Sequence, residues 1–480
     1  MNIIGLAFNL MNPRRWARVD PRFLPFADLL TPDLPLSRLL RLSLFQVSVG
    51  MTTALLLGTL NRVLIVELGV AAWIVSVMVA LPLLAAPFRA LVGFRSDTHR
   101  SFIGWRRVPF IWIGSMLQFG GLAILPFALI LLSGDTHWPT WIGPLSAAIA
   151  FLVVGAGIQT VQTAGLALAT DLAADENRAR VVALMYTMLL VGLFVAGIVF
   201  SLLLAEFTKL RLIQVVQGSA FAAFMLNVLA VWKQEPRQPS RTSSSQPRPD
   251  FRQTWRTFVA QPGHLRFMVA LFAGTAAFSM QDIILEPYGG EILGLSVSAT
   301  SLLTALMASG SLLAFMAAAS WLQRGDNPYR LAALGVVVGM LAFALVLLAE
   351  PLQSALVFRV GTFLIGFGSG LFAVTTLSAA MGLEANGLTG LALGAWGAVQ
   401  ATASGLAVVC GGTLRDLFSG IATSGGMGEV LTSAGVGYGV VYYVELMLLF
   451  VTLVAVGPLV SIARTAGDKN RKFGLAEFPG

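Results

Sequence analysis

The longest polar interruption in this chain reads KQEPRQPSRTSSSQPRP and runs from Lys233 to Pro249. Its proline, serine and arginine content cannot form a hydrophobic core, which predicts a flexible linker. Six long apolar runs precede the linker and six follow it. Each run holds about 20 residues or more, enough for a helix to cross a bilayer core of about 30 Å. The linker and the apolar runs on either side of it therefore predict a protein of two halves, each with six helices.

The chain divides into five predicted parts around these runs. They are a basic N-terminal segment (1–37), a first bundle (38–232), the linker (233–262), a second bundle (263–464) and a tail (465–480). The twelve predicted spans are 39–60, 71–92, 108–132, 141–169, 181–204, 211–232, 265–287, 297–321, 331–350, 353–379, 387–411 and 437–462.

Composition predicts the same class of protein. Of 480 residues, 56% are hydrophobic and 11% are charged, with a mean hydropathy of +0.81. A soluble domain carries about 25% charged residues, so this is the composition of a multi-pass membrane protein. Barrel strands would be short and alternating, which leaves an all-α membrane protein with twelve transmembrane helices as the predicted fold class.

The distribution of lysine and arginine predicts the orientation of the chain in the membrane. Of the 31 basic residues, 25 fall on one side of the predicted membrane, which places both termini in the cytoplasm. This asymmetry accounts for the net charge of +8 without any nucleic acid. A single cysteine, Cys410, excludes a disulfide framework. The remaining basic residues are Arg62, Lys209, Arg211 and Arg415 on the outer side and Arg89 and Arg359 within spans.

The N-terminal segment supports two interpretations. Residues 1–12 are apolar and are followed by Arg14, Arg15, Arg18 and Arg22. This pattern suits a segment lying on the membrane surface with its basic side toward anionic lipid. Its many prolines suit a disordered tail equally well. Because the arginines follow the apolar run, no cleavable signal peptide is expected.

Two acids lie in the seventh span, within the run FSMQDIILEPYGG from Phe278 to Gly290. Asp282 and Glu286 are four residues apart, so on a regular helix they would share a face. Asp282 falls past the middle of the span and Glu286 near its outer end, where Pro287 predicts a bend. In one interpretation, both acids line a cavity or a site for a pigment headgroup. In the other, Asp282 makes a helix-to-helix hydrogen bond and Glu286 is a carboxylate at the membrane interface.

Other polar residues inside the spans are candidates for the same cavity. Arg359 needs a partner at depth, which Asp282 or Glu445 could supply. The glutamines are candidates for lining the central cleft together with Arg89, although interhelical hydrogen bonds are their commoner role. No span carries a histidine at mid-membrane depth, and no metal cluster is expected. The cavity candidates are Asp282, Glu286, Gln281, Arg359, Gln159, Gln162, Gln400 and Glu445.

The loop after the second span resembles the loop signature of the major facilitator superfamily, with glycines, an aspartate and paired basic residues. Its aspartate can pair with arginines or with a helix N-terminus and so latch one conformational state. The alternative is ordinary solvated loop charge. The latch candidates are Gly93, Asp97, Gly104, Arg106, Arg107, Asp171 and Arg178.

Four motifs resemble the PucC/LhaA family of phototrophic bacteria, and the resemblance covers about residues 38–464. They are TLNRVLIVELG from Thr59, the run Arg95 to Pro109, MQDIILEPYGGEILG from Met280 and GLALGAWGAVQ from Gly390. The N-terminal run NPRRWARVDPRFLPF, Asn12 to Phe26, resembles the LhaA branch more than PucC. The resemblance implies a major facilitator fold used to assemble light-harvesting complexes in a bacterial inner (cytoplasmic or intracytoplasmic) membrane.

The resemblance also implies the ligand and the partners. Family members are thought to deliver or hold bacteriochlorophyll, here bacteriochlorophyll a, while antenna polypeptides insert and oligomerise. The LhaA branch is associated with the core antenna and PucC with the peripheral antenna. The implied partners are antenna α/β polypeptides, the reaction centre–antenna complex, bacteriochlorophyll synthase, the protein insertion machinery and membrane lipids. No catalytic turnover and no metal cofactor of its own are expected.

Two other functions fit parts of the sequence. An ordinary transporter, with or without proton coupling, needs a titratable acid near a central site, and Asp282 is the candidate. A prenyltransferase is suggested by the synthase label that family annotation has used. Asp171 and Asp175 have the spacing that holds magnesium diphosphate, but Ala167 stands where the usual asparagine would be.

The orientation can be tested with reporter fusions. We expect green fluorescent protein to fluoresce at both termini, because the basic loops keep both ends in the cytoplasm. Alkaline phosphatase should be inactive at either terminus and active when fused just before Lys209. Phosphatase activity at a terminus would overturn the predicted topology.

Overall fold

The computed structural model describes residues 36–84, 105, 107–133, 137–139, 141–173, 178–235, 263–382, 389–426 and 432–466. Within these ranges the chain forms helices and turns and no strand, which confirms the predicted all-α membrane fold. Eleven of these helices are long and apolar enough to cross a membrane. A shorter apolar helix at the second predicted span completes the set of twelve.

The twelve helices fall into two halves of six. The first half holds α1 (Ser37–Glu67), α2 (Ala72–Leu84), α3 (Val108–Leu132), α4 (Ile142–Leu172), α5 (Arg178–Leu203) and α6 (Lys209–Val231). The second half holds α7 (His264–Glu291), α8 (Val297–Gln323), α9 (Pro328–Ala349), α10 (Ala355–Gly382), α11 (Thr389–Thr423) and α12 (Gly435–Ala466). The N-terminal segment and most of the linker lie outside the described residues.

Successive helices run in opposite directions, so the loops gather at two ends of the molecule. The basic end is the one at which α1 begins. The other is called the opposite end. The basic end carries Arg38, Arg107, Lys233, Arg266 and Arg324.

The most extensive contacts between the halves are those of α5 with α8 and of α2 with α11. Near the opposite end, the Ser298 hydroxyl donates to the Ser201 carbonyl at 2.7 Å, between α8 and α5. On the other side, the Trp73 N–H at the start of α2 donates to Asp416 Oδ2 of α11 at 2.8 Å. Polar contacts thus fasten the two halves together at this end.

Helix α1 is longer than the sequence pattern predicted. The span was expected to end near residue 60, with Arg62 beyond it on the outer side, and the predicted end is wrong. The helix continues to Glu67 through two π-helical stretches, Ala54–Leu60 and Val63–Glu67. Arg62 is only 4% exposed, and it donates to Glu67 Oε1 at 2.5 Å and to the Leu295 carbonyl at 3.1 Å. These partners offset the free-energy cost of burying the Arg62 charge. A hydropathy pattern does not show such partners.

Helix α11 departs from the prediction in the same way. It was expected to end near residue 411, with Arg415 beyond it on the outer side, but it continues to Thr423. Arg415 contacts Glu291 of α7 and donates to Asp416 Oδ1 at 2.7 Å and to the Tyr438 hydroxyl of α12 at 3.1 Å. An arginine that finds this many acceptors can lie within a helix end that packs against its neighbours.

Helix α7 is interrupted in its second half. An α-helix to Met280 gives way to a 3₁₀ turn at Gln281–Ile283, and a short α-helix follows at Leu285–Glu291. The bend predicted at Pro287 therefore lies one turn earlier, and Pro287 sits inside the short helix. The expected shared helix face of Asp282 and Glu286 is likewise interrupted by the break.

The break leaves carbonyl groups that α1 satisfies. Pro287 has no N–H, so the carbonyl of Ile283, four residues earlier, loses its helical hydrogen bond. Asn61 Nδ2 donates to that carbonyl at 2.9 Å and to the Asp282 carbonyl at 3.2 Å. In hydrocarbon an unsatisfied backbone carbonyl is costly, so this contact, called here the α1–α7 clamp, supports the broken helix.

Helices α8 and α10 approach closely enough that only glycine fits between them. A Cβ placed on Gly366 would overlap the Met307 carbonyl oxygen and would lie 2.7 Å from its Cα, both in the backbone of α8. Such backbone atoms cannot move aside as a flexible side chain could. Close contact of this kind replaces hydrophobic driving force between helices in lipid.

Substitution of Gly366 by alanine should therefore destabilise the protein. We expect an overpacking cost of about 1–3 kcal/mol, seen as a lower midpoint of thermal unfolding in detergent. Gly439→Ala is the matched control, because a Cβ there meets nothing within 4 Å. Equal stability of the two variants would show that α8 and α10 do not pack in this way.

Candidate functional site

A cavity of about 970 Å³ lies between the two halves. Its wall comes from α1, α4 and α5 of the first half and from α7, α8, α10 and α11 of the second. It reaches the basic ends of α5 and α8, where Ala183 and Gln323 line it. Toward the opposite end it stops at Gly58 and Glu286. Within the part of the chain that the structure describes, the cavity therefore extends to the basic side and ends before the fastened side of the molecule.

Most of the wall is apolar and aromatic. Leu57, Leu190, Phe278, Phe372 and Trp396 are typical of it. Such a surface suits a ligand with a large apolar body, because a bound polar molecule would lose its water without gaining partners. Five of the predicted cavity residues interrupt this surface and form the polar set: Gln162, Gln281, Asp282, Glu286 and Gln400.

Glu286 is the most enclosed acid of the polar set. It is only 4% exposed, and Thr304 of α8 donates to its Oε1 at 2.7 Å. Its other oxygen, Oε2, is buried without a hydrogen-bond partner. Gly58 of α1 gives it room, since a Cβ at that position would lie 2.6 Å from Oε1. The structure therefore places Glu286 in the cavity wall rather than at an exposed interface, with one free acceptor.

Asp282 lies at the break in α7. Gln281 Nε2 donates to its Oδ1 at 2.5 Å and makes a weaker 3.3 Å contact to the Phe278 carbonyl. The Asp282 carbonyl is held by Asn61 in the α1–α7 clamp. The 3₁₀ turn thus fixes both the backbone and the side chain of Asp282 at the cavity surface.

The opposite end is closed by further contacts between the halves. The Thr59 and Ser301 hydroxyls lie 3.0 Å apart, joining α1 to α8. Arg62 reaches the Leu295 carbonyl in the loop between α7 and α8. With the α1–α7 clamp, these contacts place a layer of hydrogen-bonded polar groups beyond the cavity.

Three of the predicted cavity residues lie outside the wall. Gln159 Oε1 and Arg359 Nε are both buried and have no hydrogen-bond partner. In the part of the chain that the structure describes, Arg359 makes no ion pair with Asp282 or Glu445, so the pairing expected from the sequence is wrong. Glu445 is fully buried behind the wall. Arg89 lies outside the described residues.

Two of the predicted latch residues meet at the basic end. Arg107 Nε donates to Asp171 Oδ2 at 3.0 Å, which joins the start of α3 to the end of α4. Glu235, after α6, accepts the N–H groups of Arg107 and Val108 at 3.0 and 2.9 Å. The latch role itself stays a prediction. The residues that the structure describes do not include the other latch candidates, Gly93, Asp97, Gly104, Arg106 and the side chain of Arg178.

Sequence reasoning missed several of the residues that build the site. Asn61 could have been found, because a proline within a span leaves a carbonyl that needs a donor from another helix. Thr304 and Glu235 carry no comparable signal, since a hydroxyl or a carboxylate near a helix end is common. Their roles depend on the rotation of each helix about its own axis.

Comparison with known proteins supports one family. The profile of the PUCC protein family matches residues 59–464. A protein of Rhodobacter capsulatus described as an "Uncharacterized protein in puhA-bchM intergenic region" is 50% identical over 463 residues, covering 95% of this chain and 97% of its own. "Protein PucC" of Rhodovulum sulfidophilum is 53% identical over 412 residues, covering 85% and 91%.

A more distant relative and a solved structure add to this. The "Bacteriochlorophyll synthase 44.5 kDa chain" of Rhodobacter capsulatus is 28% identical over 394 residues, covering 79% of this chain and 87% of its own. The crystal structure of a bacterial homologue of the iron transporter ferroportin, in an inward-facing state, matches with a TM-score of 0.65 at 13% identity. It covers 89% of this chain and 99% of that one, which shows the fold alone.

The predicted major facilitator fold is thereby confirmed. The family profile covers most of the chain, and two of the four motifs that carry the resemblance, around Thr59 and Met280, meet in the α1–α7 clamp. The chain belongs to the PUCC protein family.

Proposed function

We propose that this protein assists the assembly of a photosynthetic light-harvesting complex, holding bacteriochlorophyll while antenna polypeptides insert and oligomerise. Family membership supports a role in building pigment complexes, and one relative is itself named for bacteriochlorophyll. In this proposal the protein lies in a bacterial inner membrane with both termini in the cytoplasm, so that the cavity opens to the cytoplasmic side. The complex served is the core antenna around the reaction centre.

The observation that carries the proposal is the large apolar cavity with its polar set. Ligand pockets usually measure about 300–1,000 Å³, so this one is near the upper end. Bacteriochlorophyll is a large amphiphile, with apolar ring faces, hydrogen-bonding carbonyl groups at the ring edge and a long hydrocarbon tail. The apolar wall suits the ring faces, and the amides of Gln281 and Gln400 suit the carbonyl groups.

One acceptor in the wall also suits the pigment's magnesium. Magnesium prefers oxygen ligands. Glu286 Oε2 is buried and without a hydrogen-bond partner, while Thr304 holds Oε1 in place. Glu286 would hold the magnesium of a bound pigment through Oε2, directly or through one water. The chain supplies binding and orientation in this scheme and makes no bonds.

A transporter is the second candidate function. A central cavity that is open at one end and closed at the other is what alternating access requires. The solved structures that share the fold include transporters. Both functions use the same cavity and differ in whether the ligand leaves through the opposite end. The prenyltransferase alternative has less support, because Asp171 is held by Arg107.

The pigment proposal can be tested by purification from a strain that makes bacteriochlorophyll. We expect the purified protein to absorb near the bacteriochlorophyll bands and to carry antenna polypeptides at low stoichiometry. Glu286→Gln should lower the pigment per protein by about tenfold, since a charge-assisted contact is worth about 1.5–3 kcal/mol.

The control for that experiment is Asp326→Asn, which changes an exposed acid in the loop between α8 and α9. It should leave the pigment content unchanged. A pigment-free wild-type preparation, together with normal antenna levels in a deletion strain, would defeat the proposal.

The transporter alternative has a separate test in proteoliposomes. If the protein couples transport to protons, uptake of its substrate should depend on pH, and Asp282→Asn should abolish that dependence. The assembly proposal predicts instead that neither the wild type nor this variant moves pigment across the bilayer. Sustained, pH-dependent flux by the wild type would favour the transporter.

A further inference from the structure

Helices α5 and α8 are in close contact near the opposite end. A Cβ placed on Gly197 of α5 would lie 2.6 Å from the backbone nitrogen of Ala305 in α8. Ala305 is accordingly only 2% exposed. The hydrogen bond between Ser298 and Ser201 lies further toward the same end. The backbones of the two helices therefore leave no gap over this part of their length.

The same faces of the two helices separate toward the basic end. Positions three turns apart, about eleven residues, lie on one face of a helix. On α5, Tyr186 therefore shares the face of Gly197, and it lines the cavity. On α8, Met316 shares the face of Ala305, and it also lines the cavity. Met316 is 62% exposed, so the helices diverge here and the cavity occupies the gap between them.

The gap reaches the lipid-facing side of both helices. Leu313 of α8 and Val195 of α5 are exposed and do not line the cavity, so they face the bilayer. Ser320 lies about two turns after Leu313, on the same face of α8, and yet it lines the cavity. On α5, Thr187 lies between the face of Gly197 and that of Val195, and it lines the cavity too. The gap that Thr187 and Ser320 border is called the α5–α8 window.

The window lies at the depth of the lipid chains. At 1.5 Å per residue, Thr187 is about 5 Å and Met316 about 9 Å from the middle of its helix, on the basic side. Half of a hydrocarbon core measures about 15 Å, so both residues fall within one leaflet. This region of a bilayer holds no water. The groups that meet the window from outside are therefore hydrocarbon chains.

A hydrocarbon chain fits this gap better than a polypeptide helix does. A transmembrane helix is about 10 Å wide and crosses the whole bilayer, whereas the gap closes to backbone contact at Gly197. A chain is thin and needs only the leaflet on the basic side. The cavity, at about 970 Å³, has the volume of a site for a drug-sized molecule. An amphiphile with a large ring and a long chain exceeds that size, so its chain must extend beyond the cavity.

We propose that the α5–α8 window is the passage through which the hydrocarbon chain of an amphiphilic ligand runs from the cavity into the bilayer. The polar end of the ligand lies at the polar set, and its chain stays among the lipid chains on the basic side. The ligand therefore enters the cavity sideways from the membrane, and its chain never meets water. The identity of the ligand rests on the proposed function, whereas the window does not.

Photolabelling of the full-length protein tests the window without any pigment. The probe is a vesicle of phosphatidylcholine in which part of the lipid carries a diazirine near the end of one acyl chain. We expect the chain to label Phe315, which lies in the cavity wall of α8. Thr187→Trp combined with Ser320→Trp narrows the window and should lower this labelling several-fold.

The matched control is Val195→Trp combined with Leu313→Trp, which adds the same bulk to the lipid-facing sides of the same two helices. Its Phe315 should be labelled as in the wild type. Absence of label at Phe315 in the wild type, or equal labelling in the narrowed variant, would overturn the window.

Two pigments that differ in the chain then connect the window to the proposed function. Bacteriochlorophyll a carries the long chain, and bacteriochlorophyllide a lacks it. Narrowing the window should weaken binding of bacteriochlorophyll a at least about tenfold more than binding of bacteriochlorophyllide a, because two methylene groups kept from apolar surroundings already cost that much. Measurable binding of bacteriochlorophyllide a also shows that the variant is folded.

The two measurements separate the window from the proposed function. Equal weakening of both pigments would overturn the route of the chain through the window. If the wild type binds neither pigment but shows window-dependent labelling by lipid chains, the pigment proposal fails and the window stands.

Discussion

The hydrogen bond from Asn61 Nδ2 to the Ile283 carbonyl is the contact on which the rest of the structure depends. Pro287 removes the N–H that would satisfy this carbonyl within α7, and a membrane interior offers no water to replace it. The donor comes from the other half of the molecule. The break shapes the cavity wall, where it exposes Asp282 and encloses Glu286, and the contact between α1 and α7 supports it.

The distribution of charge follows from this arrangement. Near the opposite end, two arginines have acid partners: Arg62 has Glu67 and Arg415 has Glu291. These pairs close the space between helices and leave little charge unsatisfied. At the cavity, Asp282 and Glu286 receive only an amide or a hydroxyl hydrogen bond. Burial of an acid without a cation nearby costs free energy. The presence of both acids at the cavity therefore suits a site in which their partner is supplied by a molecule other than this chain.

Much of the fold could be predicted from the sequence, because hydropathy and basic-residue asymmetry report directly on what crosses a membrane. The ends of α1 and α11 could not, since burial of Arg62 and Arg415 depends on acids elsewhere that hydropathy does not see. A bend in the segment around Asp282 was predicted, but it was placed one turn late. Which glutamines face the cavity depends on helix rotation, and for this reason Gln162 lines it and Gln159 does not.

The central claim is that Asn61 holds the opposite end closed, and a distance measurement tests it directly. With Cys410→Ala, spin labels at Glu206→Cys and Leu352→Cys would sit on exposed loops of the two halves at that end. Electron paramagnetic resonance should give one short distance in this background and in Asn227→Ala, which removes a hydrogen bond within the first half. Asn61→Ala should add a longer distance. A single unchanged distance in Asn61→Ala would contradict the account.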